Sequence, residues 1–157
     1  TGNQIHDWTS NTRGIGVDMC RYALIAHNTI SSYTGIGTTV GVSCDDAEYS
    51  KVQGNHVFSV PSNGIVLTTC PESIVSNNIV DEPGATGIAF SASPRCVATG
   101  NNIDNPNGGA SAAIGFFSAS DNGVAVGNRN GGSFGGTQNV NTSGSTGVTI
   151  ASNNTAS

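Results

Sequence analysis

The sequence predicts an all-β solenoid of about six stacked coils of roughly 25 residues each. Three observations point there. Asparagine returns at a nearly constant spacing, apolar residues keep fixed offsets from each asparagine, and Gly, Asn, Ser and Thr separate short β-branched runs. That last pattern is the composition of a turn-rich β protein. No segment shows a helical apolar period. The 157 residues suffice for one domain, read as 1–157.

The asparagine column runs through "TGNQI" at Asn3, "AHNTI" at Asn28, "QGNHV" at Asn55, "SNNIV" at Asn77, "TGNNI" at Asn101, "VGNRN" at Asn128 and "ASNNT" at Asn153. Three residues before it stand Ile25, Val52, Ile74, Ala98, Ala125 and Ile150. Two residues after it stand Ile5, Ile30, Val57, Ile79 and Ile103. Between these units lies a second apolar element: "GIGV", "VGV", "GIVL", "GIAF" and "IGFF". Each repeat therefore reads strand, turn, strand, turn. Such a unit cannot bury its apolar face alone, but stacked on its neighbour it can. Stacking makes one interior column of Ile15, Val40, Ile65, Ile88 and Ile114, and another of Val17, Val42, Leu67, Phe90 and Phe116.

Asparagine is a poor strand former, so its recurrence needs a reason. At a bend, its side chain can satisfy turn amides and bond to the asparagine stacked above it. Asn28, Asn55, Asn77 and Asn101 are accordingly expected to form a structural amide ladder. The tract 131–147, "GGSFGGTQNVNTSGSTG", is expected to be an irregular loop before "GVTIASNN" restores the motif.

The pattern V-x-G-N-x-I … G-I-x-L resembles the repeat of right-handed parallel β-helix proteins, the pectin-lyase-like superfamily. It covers Thr1 to about Asn130 and, more loosely, extends to Asn154. The resemblance implies a right-handed parallel β-helix, and it brings in pectate lyases, polygalacturonases, epimerases and, as the nearest fit, bacteriophage tailspikes. A left-handed β-helix would need a hexapeptide rhythm that is absent. A sandwich would not repeat its strands at this register.

Charge excludes some classes. The formal net charge is −5, and Arg13, Arg21, Lys51, Arg95 and Arg129 are scattered. A nucleic-acid partner is not expected, because it would call for a basic patch. Insertion into a membrane is not expected either, since no apolar run reaches spanning length. "TGNQIHDW" lacks the basic start and apolar core of a secretory signal. Both ends look like repeats, which predicts a segment of a longer protein with ends covered by other parts or subunits, as in a homotrimer. Cys20, Cys44, Cys70 and Cys96 form no CxxC, so zinc is not expected. A disulfide scaffold is the alternative, but buried free thiols are expected, because a chain this long needs no staples and cysteine packs as a small hydrophobe.

The acidic residues carry the candidate chemistry. Stacking places Asp81, Glu82 and Asp104 at one edge of adjacent coils. Two carboxylates on a glycosidic bond are the apparatus of glycoside hydrolysis, although "DEPG" also reads as an ordinary surface turn. Trp8 and Tyr33 fall at equivalent offsets on neighbouring coils and would give sugar rings an aromatic strip. The same residues would serve equally as a hydrophobic contact under a loop. Asp45, Asp46 and Glu48 follow the second apolar element, beside Asp18 one coil earlier. They could converge on calcium, which pectate lyases use. The family's catalytic base has no clear counterpart, Arg21 being the nearest by stacking. No metal or other cofactor is therefore expected. His6, His27 and His56 sit at three different offsets and do not converge.

These readings lead to one expected function with two alternatives. The first is a phage tailspike or tail-fibre segment, virion-borne or extracellular, that binds and in the whole protein cuts a host-surface polysaccharide. The second is a microbial polysaccharide lyase, hydrolase or epimerase. The third is a rigid structural spacer. Fold-level resemblance alone does not separate them.

Overall fold

A computed structural model of the chain describes residues 1–6, 13–32, 39–104, 112–131, 140–151 and 155–156. The chain is an all-β parallel solenoid, and no helix occurs among these residues. Each coil contributes three strands, not two, to three parallel sheets. The first sheet stacks Arg13–Arg21, Val40–Glu48, Ile65–Thr68, Ile88–Ser91, Ile114–Phe117 and Val140–Asn141. The second stacks Leu24–Ala26, Lys51–Gln53, Ile74–Ser76, Val97–Thr99, Val124–Val126 and Thr149–Ile150. The third stacks Gln4–His6, Thr29–Ser31, His56–Phe58, Ile79–Asp81, Asn102–Asp104, Arg129–Asn130 and Thr155–Ala156. The sequence merges the second and third sheets into one strand, because a single bent residue and the asparagine are all that part them.

Alternation along each strand sends one set of side chains inward. Ile30, Val57, Val80 and Ile103 fill the core from the third sheet, and Val52, Val75, Ala98 and Ala125 from the second. In the first sheet the interior columns are Ile15, Val42, Ile65, Ile88, Ile114 and Val17, Cys44, Leu67, Phe90, Phe116. Val40 instead pairs with Arg13. The expected second-coil residues were thus two positions early. A two-residue slip keeps the same face of a strand, so the apolar pattern could not reveal it. Phe90 and Phe116 stack within the core with ring centroids 4.8 Å apart.

The asparagines stand at the bend between the second and third sheets. Asn28 donates its backbone N–H (3.0 Å) and its side-chain amide (2.9 Å) to Oδ1 of Asn55. Asn55 does the same to Oδ1 of Asn78 at 2.9 and 3.0 Å, and also donates to the Ile25 carbonyl at 3.0 Å. The ladder continues from Asn78 to Asn101 and from Asn101 to Asn128. The rung in the fourth coil is Asn78, not Asn77. Asn77 occupies the preceding bend position with φ 54°, where the other coils carry Gly2, His27, Gly54, Gly100 and Gly127. Two adjacent asparagines made the rungs indistinguishable by type, and the left-handed backbone decides between them: it suits glycine or asparagine.

Every bend depends on such residues. Among the described residues, fifteen non-glycine residues have positive φ, with Tyr22, Tyr49, Glu72, Arg95 and Asn122 in one column. Space is also tight at the start of the first sheet's strands. A side chain on Gly64 would press on the Gly87 carbonyl, and one on Gly87 on the Ala113 carbonyl, both at 2.7 Å. The tract 140–147, expected as irregular loop, is partly ordered into the solenoid. Val140 and Asn141 pair with Ile114 and Gly115, and the Gly144 carbonyl accepts the Ala119 N–H at 2.8 Å. Residues 132–139 lie outside the described part.

A second, smaller ladder escapes sequence reading. At the bend after the first sheet, Cys70 N–H donates to Ser93 Oγ (2.9 Å), Ser93 to Ser120 Oγ and Ser120 to Ser145 Oγ (both 3.0 Å). The cysteines do not share this column. Cys20 and Cys70 belong to it, Cys44 lies under Leu67, and Cys96 lies beside Ser73. Their near-regular spacing in sequence is not a register.

Two outcomes test this fold. Asn78→Leu should cost about 3 kcal/mol in urea unfolding, because buried donors on the neighbouring rung lose their acceptor, whereas Asn77→Gly should change stability by less than about 0.5 kcal/mol. A larger loss in Asn77→Gly than in Asn78→Leu would place the rung at Asn77. Second, Asn130 occupies a core column below Ile103, and its buried amide has no hydrogen-bond partner among the described residues. Asn130→Val should therefore raise stability by about 1–3 kcal/mol, read as a higher melting temperature.

Candidate functional site

The outer face of the third sheet positions the expected acids. Val80 and Ile103 point into the core, so Asp81 and Asp104, one residue on, point out. The two are direct partners in the strand ladder. Glu82 sits at the following bend with φ 54° and accepts a hydrogen bond from Ser59 Oγ at 2.6 Å. Asp104 faces Arg129 at 3.9 Å. The same outward column continues through Phe58, Ser31 and His6. His56 and Phe58 lie ring against ring, centroids 4.9 Å apart, and His6 Nδ1 is 2.7 Å from Ser31 Oγ. The structure thus brings Asp81 and Asp104 together and adds an aromatic pair one coil away. Phe58 could have been found from sequence: it occupies the offset of Asp81 and Asp104, counted from the true asparagine rungs. Trp8 and Tyr33 lie outside the described residues.

A second charged and aromatic group gathers on the first two coils. Arg13 lies across Gly16, where a Cβ would stand 2.9 Å from its Cδ. Its guanidinium pairs with Asp18 on the same strand and with Asp45 on the next coil at 2.6 Å. The hydrogen bond with Asp18 is the main cause that pushes the Arg13 pKa up from its ordinary value. The acids at Asp18 and Asp45 therefore do have a basic partner, and it is Arg13. Arg21, the residue expected from stacking, also meets this acidic group, binding Glu48 from Nε to Oε2 at 2.7 Å. Around the bend, Tyr22 and Tyr49 stack with centroids 5.4 Å apart, and Arg21 lies 5.9 Å over the Tyr49 ring. Among the described residues, no group of three His, Cys, Asp or Glu side chains is arranged to hold a metal ion.

The family model described as "Right handed beta helix region" matches residues 1–155. The chain belongs to the right-handed β-helix family. No match was found among curated proteins or among solved structures. The β-helix fits a polysaccharide-binding or structural role, and it positions both groups above on its outer surface.

The β-helix interior holds inert thiols. All four cysteines are free, and Cys44, Cys70 and Cys96 are buried. Burial pushes Cys44 and Cys96 up to about 12 and Cys70 up to about 11, from 9.0. A thiol whose proton is held more tightly in the folded chain favours folding fully below pH 9. That contribution falls as pH rises from 9 toward 11 and 12, because the unfolded thiols ionise first. Thermal melting should show stability declining steeply above pH 9. Cys70→Ser with Cys96→Ser should flatten that decline, since serine already occupies neighbouring rungs of both columns. A decline of equal steepness in the double variant would show that the thiols are not its cause.

Proposed function

We propose that the chain is the polysaccharide-binding β-helix of a bacteriophage tailspike or tail fibre, carried on the virion and used for attachment to a host-surface polysaccharide. The observation that carries this reading is the outer face of the third sheet. There the His56–Phe58 ring pair and the in-register Asp81 and Asp104 occupy adjacent coils on one face. Aromatic rings offer sugar C–H groups an apolar platform, and carboxylates accept hydrogen bonds from hydroxyls. Strands in a ladder run about 4.8 Å apart. That spacing suits the roughly 5 Å separation of acid and nucleophile in retaining glycosidases. Asp81 and Asp104 are therefore assigned to cleavage, with Glu82 beside them, and Trp8 and Tyr33 to sugar stacking.

A homotrimer is part of the same proposal. The second sheet turns Leu24, Lys51, Ile74, Val97 and Val124 outward in a single column, which is apolar on either side of Lys51. Leu24 is 54% exposed, and a second copy would cover this apolar strip.

Incubation with purified bacterial surface polysaccharides, followed by size-exclusion chromatography, tests the assignment. Shortened chains are expected, with cutting at least about 100-fold slower in Asp81→Asn and Asp104→Asn, the scale on which acid–base groups contribute. Unchanged cutting in both variants removes the catalytic assignment, and binding without cutting leaves attachment alone. Light scattering should give three times the 15.7 kDa chain mass, and a monomer would overturn the trimer.

A further inference from the structure

Beside Arg21 and Glu48 lies an open cleft of about 470 Å³, lined by Met19, Cys20, Arg21, Asp46 and Glu48. It is separate from the acids of the third sheet, being formed at the bend that follows the first sheet. The Tyr22–Tyr49 stack adjoins it. Met19 is 83% exposed and Tyr22 71% exposed, so the cleft has an open apolar and aromatic border. Rings on consecutive coils repeat with the solenoid, which matches a ligand that is itself an extended repeat. The polar groups within the cleft include both hydrogen-bond donors and acceptors.

The charges say which repeat. Arg13 is held by Asp18 and Asp45, Arg21 by Glu48, Arg95 by Glu72 and Arg129 by Asp104. Every arginine of the chain is thus engaged with a carboxylate. Lys51 is the one remaining basic side chain besides the histidines. A uronate, sulfate or phosphate entering the cleft would have to strip a guanidinium from its carboxylate, and it would meet Asp46 as well. A hydroxyl or an amine would meet acceptors already in place.

We propose that this corner cleft, with Tyr22 and Tyr49, is a second saccharide subsite, and that it takes a non-anionic glycan, neutral or amino-bearing, and not a polyuronate. The inference rests on the polysaccharide-binding reading above and adds both a location and a ligand class.

Affinity electrophoresis of the whole chain through gels containing dextran, chitosan oligosaccharides or polygalacturonate separates the two. Retardation by dextran or chitosan, and none by polygalacturonate at low salt, is expected. Tyr22→Ala should weaken that retardation about tenfold with an unchanged melting temperature, because Tyr22 is largely exposed. Glu48→Gln, which frees Arg21, should let polygalacturonate begin to bind. Retardation of the unaltered chain by polygalacturonate would overturn the ligand class. If Phe58→Ala weakened binding while Tyr22→Ala and Tyr49→Ala did not, the corner subsite would fall and the general function would stand. Retardation by none of the three, nor by bacterial surface polysaccharides, would overturn both readings.

Discussion

The register between coils is the constraint on which everything else depends. In a parallel stack, backbone N–H groups find their acceptors in neighbouring coils, so a single coil has no hydrogen-bonded structure of its own. The bends are the difficult places, because they turn the chain sharply and require left-handed backbone. Each non-glycine residue in that conformation costs about 1–2 kcal/mol. The amide ladder resolves this at one bend by giving each asparagine oxygen two donors from the coil next to it. The serine and thiol column serves the preceding bend of the coil, between the first and second sheets, in a lesser way. Once those columns are locked, the strand pairing, the interior columns and the outer faces have a single alignment.

The same constraint explains which parts of the fold were legible. Strict stacking imposes a period on the sequence, and the period is visible because asparagine is otherwise out of place among β-branched residues. Parity was legible too: Val42 and Cys44 replace Val40 and Val42 in the core columns without changing which face is apolar. Exact register was not, since Asn77 and Asn78 differ only in backbone conformation. The separation of the second and third sheets was hidden for a related reason. The bend between them is so short that "V-x-G-N-x-I" reads as one interrupted strand. Asn130 is the reverse case: its offset puts it in the apolar column, and it stays there as a buried amide with no partner among the described residues.

Site residues were legible where they share an offset. Asp81 and Asp104 belong to one outward column, so aligning the coils was enough to bring them together. Arg13 was missed because its reach is diagonal. Its backbone pairs with Val40, yet its guanidinium meets Asp45 five residues farther along. Long side chains lying along a sheet face break the link between offset and contact. Tyr22 and Tyr49 were missed because they stand at bend positions, where the reading looked for glycine and asparagine. Their column runs on through Glu72, Arg95 and Asn122, so no repeated residue type marks it.

Recognition surfaces in such a fold arise from departures within a column. A column that repeats one residue satisfies the stack, as asparagine does, and offers the same chemistry along its length. A column that changes residue from coil to coil leaves each outward side chain to be chosen by something other than stacking. The bend column passes from paired tyrosines to an ion pair between Glu72 and Arg95, while its backbone stays left-handed throughout. The backbone strain is thus constant and the side-chain chemistry is not. With each arginine already committed to a carboxylate, the chemistry left for a ligand is that of aromatic rings, hydroxyls and carboxylates. Such a surface selects against anionic chains by desolvating pairs that it would otherwise keep.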